Sequence, residues 1–292
     1  MKYLTLLLCL AAFNLYAESR FATYNIRMYD ARSGSTDKVE LKRIFTELNA
    51  DFITVEEIVN SSSLRNFIKT EFPLYDLALS KCGGGGNQKI GFIYKKSKYK
   101  LNKLFEDRRL SSVKNQKGCG SLRPALVGYF KDLTLEKDFV AIGLHLKAGS
   151  GKKNYDRRNK QFKILVTIVE EIKRKGISDF IIMGDLNTTG FLDQNEDYKN
   201  FNLMLNKINV KTGSTQLNCT SYWSGEDSTD NIEEASILDH VIPSTNFLNT
   251  KSVQTELFAH CKKTLCENVS SDELGISYLS VSDHCPVLSI LK

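Results

Sequence analysis

The sequence predicts a layered α/β protein, and three of its features carry that prediction. Several apolar, β-branched runs are too continuous to leave one face of a strand in water. Segments with a helical apolar period lie between them along the chain. No internal repeat, long Pro/Ser linker or cluster of the 4 prolines divides the 292 residues, so a single domain is expected.

Taken in order, residues 1–17 begin with Lys2, continue in an apolar run over 4–13 and reach Ala17 just before Glu18. This is the pattern of a cleaved signal peptide, and it predicts a secreted or periplasmic protein whose mature domain is 18–292. The run falls short of the roughly 20 residues that cross a bilayer, and no later stretch is long enough. In 37–49 the residues Leu41, Ile44, Phe45 and Leu48 fall at i, i+3, i+4 and i+7, which predicts a helix with one buried stripe. Strands are expected over 51–55, 89–94, 125–130, 139–146, 180–183, 237–242 and 286–290. A second helix is expected over 156–175, with Phe162, Leu165, Val166, Val169 and Ile172 on one face and Gly176 ending it. The glycines 83–86 read as a flexible loop tip rather than a phosphate cradle, because no G-K-[ST] follows them.

Loss of the leader removes one basic residue, Lys2, and leaves 39 basic against 34 acidic side chains. The excess favours an anionic partner only weakly. Two local runs say more: Lys95, Lys96, Lys98, Lys100 and Lys103, then Lys152, Lys153, Arg157, Arg158 and Lys160. Their nearness in sequence to candidate catalytic segments points to a phosphate-rich polymer. The mature chain keeps Cys82, Cys119, Cys219, Cys261, Cys266 and Cys285, an even number that predicts disulfides in an exported protein. Their pairing is open at this level. A zinc site of His260, Cys261, Cys266 and Cys285 is the alternative, without the C-x-x-C spacing that would support it.

Polar residues able to hold a metal or move a proton recur just past the apolar runs. Asn25 follows 21–24, Glu57 follows 52–55, His145 lies at the end of 140–146, and Asp185 and Asn187 follow 181–183. Asp283 and His284 precede Pro286. If these runs are neighbouring strands, their ends converge on one cleft, the usual ligand site of an open α/β sheet.

The segments T-Y-N-I (23–26), V-E-E-I (55–58), G-L-H-L-K-A-G (143–149), M-G-D-L-N (183–187), I-L-D-H-V-I (237–242) and S-D-H-C-P-V (282–287) carry a family likeness. In kind and order they resemble the signatures of the endonuclease/exonuclease/phosphatase superfamily, typified by pancreatic deoxyribonuclease. The resemblance implies a four-layer α/β sandwich, two packed mixed β-sheets flanked by helices. It implies that Glu57, assisted by Asn25 and Asp283, holds a divalent metal, and that Asp185 and Asn187 place the water and the scissile phosphate. Oxygen donors without thiolates suit Mg²⁺, Mn²⁺ or Ca²⁺. His284, oriented by Asp239, resembles the family's general base; His145 resembles the proton donor to the leaving oxygen, and Arg123 a phosphate-binding arginine. His240 and His260 are left as structural.

A phosphodiester repels nucleophiles by its charge and has a poor leaving group, so one metal and two imidazoles are suitable chemistry near neutral pH. The expectation is an exported, metal-dependent nuclease, monomeric and without stable membrane association, acting on DNA, with RNA as the second substrate to test. A sphingomyelinase-like or other small phosphodiesterase shares the same catalytic set and is the alternative. A catalytically silent binding protein is disfavoured because each expected polar position is filled. Abasic-site repair is disfavoured because those relatives carry tyrosine where His145 stands. Two positions depart from the pattern: Gln88 stands where pancreatic-type enzymes have a glutamate supporting the histidine, and Glu56 where the family usually has glutamine. The segment 219–223, with Trp223, has no role readable in the sequence.

Overall fold

The computed structural model describes residues 18–292 apart from 33, 112–117, 192 and 226–228. The expected leader and its cleavage point lie outside the described residues. The chain begins β1 (Ser19–Tyr29), α1 (Lys38–Leu48), β2 (Phe52–Ile58), α2 (Ser61–Glu71), β3 (Tyr75–Leu79), β4 (Lys89–Lys95) and β5 (Tyr99–Asp107). It continues through β6 (Ala125–Asp132), β7 (Lys137–His145), α3 (Lys152–Arg174), β8 (Phe180–Asp185), α4 (Glu196–Ile208), β9 (Ser221–Trp223) and β10 (Ile232–Ser236). The last part comprises β11 (Asp239–Pro243), β12 (Val253–Leu257), α5 (Ala259–Thr264), β13 (Val269–Ser270), α6 (Ser271–Leu274), α7 (Ile276–Ser280) and β14 (Val287–Leu291).

Two mixed sheets form, one of six strands in the order β12-β14-β1-β2-β4-β3 and one of five in the order β11-β8-β7-β6-β5. The period of two splits each central strand between two cores. On β8, Phe180 and Ile182 pack under α3 and α4, while Ile181 and Met183 face the other sheet. On β2, Ile53 and Val55 pack against α1 and α2, and Phe52 joins Phe21, Phe92, Phe130 and Phe139 between the sheets. The order of layers is therefore helix, sheet, sheet, helix, as the family likeness implies. At Gly143 the sheets come so close that a Cβ would stand 2.9 Å from Ile90 and 3.0 Å from Phe92.

Both expected helices are present. Asp37 caps α1 by accepting from Val39 N and Glu40 N, and Asn49 closes it in the left-handed conformation. The second begins at Lys152, earlier than its apolar stripe, because its first turn is polar and follows Gly151 at φ 84°. Elements without a strong periodic signal escaped the sequence reading: α2 buries only Leu64, Phe67 and Ile68, and β3 and β5 are edge strands. The three-stranded arm β13-β10-β9 escaped as well, being built from short strands.

Three expectations change. Cys82 pairs with Cys119, Cys219 with Cys266 and Cys261 with Cys285, so the thiols of the alternative zinc site are spent in disulfides. The 83–86 loop is pinned rather than free, through Gln88 N to Gly83 O, Gly85 N to Ser121 O and the neighbouring Cys82–Cys119 bridge. The first basic run is not beside the catalytic segments. Because β4 runs antiparallel to β2, Lys95 lies at the start of β2, where Lys95 and Lys98 hold Asp51, whereas Glu57 lies at its far end.

Candidate active site

Two parallel strand pairs set the cleft. β1 and β2 run parallel, as do β7 and β8, so their carboxyl ends carry Asn25, Glu57, His145 and Asp185 to one edge of the sandwich. His145 and Asp185 are direct partners across β7 and β8, and Asp239, starting antiparallel β11, is the partner of Asp185 on its other side. Gly184 makes this approach feasible. Its φ is 142° and a Cβ there would meet Leu144 O at 2.0 Å, which explains the glycine of M-G-D-L-N.

Glu57 reaches the cleft through an irregularity that alternation does not foretell. Glu56 pairs with Asn25 and points between the sheets, where Thr23 Oγ1 donates to its Oε1 at 2.9 Å. Strict alternation would turn Glu57 toward the helices. A register shift and a left-handed backbone at Glu57, φ 60°, redirect its carboxylate. It accepts from Met28 N at 2.9 Å and from Asn25 Nδ2 at 3.4 Å, and lies 3.8 Å from His145 Nε2.

Asp185 is the centre of the cluster. Its Oδ1 accepts from Asn187 N at 2.8 Å; its Oδ2 accepts from Asn25 Nδ2 at 3.1 Å and lies 3.4 Å from His145 Nε2 and 3.9 Å from His284 Nε2. His284 Nδ1 lies 2.8 Å from Asp239 Oδ2, so the second imidazole is oriented from behind. Asn187 sits beside this, its Nδ2 donating to Leu146 O at 3.4 Å. Ser282 completes the S-D-H turn: its Oγ accepts from His284 N and donates to Asn25 O at 2.6 Å, fastening the turn to β1. Such a hydroxyl two residues before the histidine is a turn signal that the sequence did offer.

The remaining expected residues stand at the rim. Arg123 donates through Nε to His145 O and through Nη2 to Leu146 O, at 3.2 and 2.6 Å, so much of its guanidinium is used in holding the end of β7. Asp283 turns toward Arg27, 4.0 Å away, and is not within hydrogen-bond reach of Asn25 or Glu57 among the described residues. Gln88 faces Arg123 Nη1 at 3.5 Å rather than His145, and His145 Nδ1 is buried with no hydrogen-bond partner.

The electrostatics divide the two imidazoles. Burial pulls His145 well below the ordinary histidine range, and Arg123 and His284 reinforce it. Burial would do the same to His284, but Asp239, with Asp185 and Asp283 behind it, outweighs that and raises it well above. Burial pushes Asp185 up, and Asp239 and Glu57 add to this against His284 and the Asn187 amide. Burial also lifts Glu56 well above the carboxylate range, with Asp239 adding to it, which favours the neutral form closest to the glutamine usual there. Glu57 and Asp185, which meet at Asn25 Nδ2, together with the buried, unpartnered Asn25 Oδ1, offer oxygen donors suited to a hard divalent cation.

Two histidines and a ring of oxygen donors at the strand ends of a four-layer sandwich define a class of phosphoester hydrolase. The chain belongs to the endonuclease/exonuclease/phosphatase family, whose model matches residues 22–284. Members of that family hydrolyse phosphoester bonds with the help of a divalent metal. A truncated TDP2 of Caenorhabditis elegans is similar in structure, with a TM-score of 0.63 at 17% identity, covering 94% of this chain and 97% of that one. The catalytic domain of human Nocturnin, with bound sulfate, gives 0.63 at 14% identity, covering 94% of each chain. TDP2 of D. rerio, in complex with a single-strand DNA product, gives 0.63 at 12% identity, covering 94% and 99%. No curated protein matches the sequence.

Proposed function

We propose that the protein is an exported, divalent-metal-dependent nuclease that hydrolyses phosphodiester bonds of nucleic acid, with DNA as the first substrate to test. The observation that carries the reading is the convergence of His145 and His284 on Asp185 Oδ2, with Asp239 behind His284 at 2.8 Å. Glu57 and Asn25 would hold the metal, while Asp283, which turns toward Arg27, would assist them only from the rim. When bound there, Mg²⁺, or Mn²⁺ or Ca²⁺ in its place, would supply positive charge that offsets the phosphate and opposes the carboxylates that hold His284 high. Asp185 and Asn187 would then place water and phosphate, and His284 would take the proton from the water; His145, which burial keeps low in the free site, would give a proton to the leaving oxygen once the charge of the bound phosphate raises it. Arg123 keeps the end of β7 in place and offers its remaining N–H groups to the phosphate.

Nucleic acid is favoured over a small phosphodiester by the second basic run. Lys153 and Arg157 are exposed in the first turns of α3 and lie near Lys147, just past His145, so cationic charge flanks the cleft. The D. rerio relative, held with a DNA product, supports the same choice. Export rests on the 1–17 leader, and the three disulfides fit an oxidising compartment. No helix among the described residues is long and apolar enough to cross a membrane.

The test is to incubate the mature protein with plasmid DNA, RNA and sphingomyelin, with Mg²⁺ and with excess chelator. Metal-dependent nicking of DNA is expected, and Glu57→Gln should raise the Mg²⁺ concentration needed for half-maximal rate. Sphingomyelin turnover without DNA cleavage would transfer the site to small or lipid phosphodiesters, and full activity in chelator would refute the metal.

A further inference from the structure

The segment 219–223 lies behind the dyad of Asp239 and His284, and its hydroxyl chemistry gives it a use. Thr220 is fully buried. Its Oγ1 accepts from Leu238 N at 2.8 Å and from Asp239 N at 2.9 Å, and donates to Asp239 Oδ2 at 2.9 Å. A hydroxyl has one proton and two lone pairs. With both lone pairs facing backbone N–H groups, the proton has one acceptor within reach, the same carboxylate oxygen that faces His284 Nδ1. The other oxygen of Asp239 has no hydrogen-bond partner, so Oδ2 alone anchors that carboxylate.

The backbone of Thr220 is fixed just as firmly. Its N–H donates to Ser236 O at 2.7 Å, and its carbonyl accepts from Cys285 N, the residue after His284, at 2.8 Å. The Cys219–Cys266 bridge begins at the preceding residue, and the Cys261–Cys285 bridge ends at the residue beyond His284. An isolated bridge pairs Ser221 with His284. We infer that Thr220 is a positioning residue: its hydroxyl, held by the disulfide-bonded arm, fixes the Asp239 oxygen that orients His284. The step depends on the phosphodiesterase reading only for its kinetic consequence.

The experiment compares Thr220→Val, which keeps the shape and removes the hydroxyl, with Thr220→Ser, which keeps the hydroxyl. With Mg²⁺ present, initial rates on plasmid DNA and bis(4-nitrophenyl) phosphate should show kcat about 10- to 100-fold lower in the valine variant, the scale of lost support behind a catalytic group. KM should stay within about threefold, because substrate contacts are untouched, and serine should restore kcat. A second readout needs no turnover: the imidazole N–H proton of His284 should shift in the NMR spectrum of the valine variant and stay in place with serine. Normal kcat in Thr220→Val, or a serine variant as poor as valine, overturns the proposal. Thr220→Ala replaces valine under the same criteria should valine not fold, and loss of folding in both would also overturn it, since the residue would then hold the fold rather than the dyad. If the parent protein cleaves neither substrate, the phosphodiesterase reading falls, while the shift of the His284 proton still decides the role of Thr220.

Discussion

His284 and His145 stand on either side of one carboxylate oxygen, yet their surroundings differ in kind. His284 has an oriented acid behind it, and His145 has a buried, unpartnered Nδ1 in a place where an acid is usual. His284→Ala should therefore cost more activity than His145→Ala, within the roughly 10²- to 10⁴-fold range of single acid–base groups. The double variant should be little worse than His284→Ala, because groups that act in one step do not add. Asp239→Asn should resemble a milder loss at His284, since it disturbs tautomer and orientation without removing the ring. Initial rates on supercoiled plasmid check all four, and near-normal rates in both single histidine variants would mean that the chemistry lies elsewhere.

At the scale of elements, α3 and α4 do more than cover a sheet. Arg158, read in the sequence as part of a basic run, is fully buried and bonds Asp197 of α4 at 2.8 Å. It also donates to the carbonyls of Lys147 and Gly149, and Asp197 accepts from Thr189 N, so the pair grips the loops that follow His145 and Asn187. Asp197→Ala strands a buried guanidinium and should cost about 3–5 kcal/mol in urea unfolding, with activity falling as both loops loosen. β11 carries a different liability. His240 is buried against Phe191 and Phe201, neither ring nitrogen has a partner, and burial lowers its pKa to about 3. Its folded pKa is below its unfolded one, so its contribution is fully present above about pH 6.5. It shrinks by about 1.4 kcal/mol per pH unit as pH falls toward about 3. His240→Phe should remove that slope between those limits, and denaturation midpoints measured from pH 7 to 4 would show it; an unchanged slope would refute the assignment.

Across the whole molecule, charge is placed unevenly. Lys95 and Lys98 of one lysine run are occupied with Asp51 at the end of β2 remote from the cleft, while Lys153 and Arg157 stand near Lys147, two residues past His145. If a strand passes over that rim, DNA affinity should fall steeply with salt, and Lys153→Gln with Arg157→Gln should reduce the log–log slope by roughly 2, about one per lost phosphate contact. Replacing Lys96 and Lys100 should leave it unchanged. Binding measured between low and moderate salt separates the two faces, and equal effects from both would sink the proposed path.

Composition and period determined much. The amphipathic stripe of α1, the continuous apolar strands, and polar residues placed just past them followed from spacing, because burial on two faces needs such runs whatever their partners. The order of six short segments identified the family before any contact was known. The family likeness pointed to Glu57 of V-E-E-I, but tertiary structure alone decided how it reaches the cleft, since a register shift and one left-handed residue override alternation. It alone decided the disulfide pairing, the far position of the first lysine run, the burial of Arg158 and the contact of Thr220 with Asp239. Each of these depends on which strands lie side by side and in what direction, and strand pairing brings together residues whose separation in the chain carries no local signal.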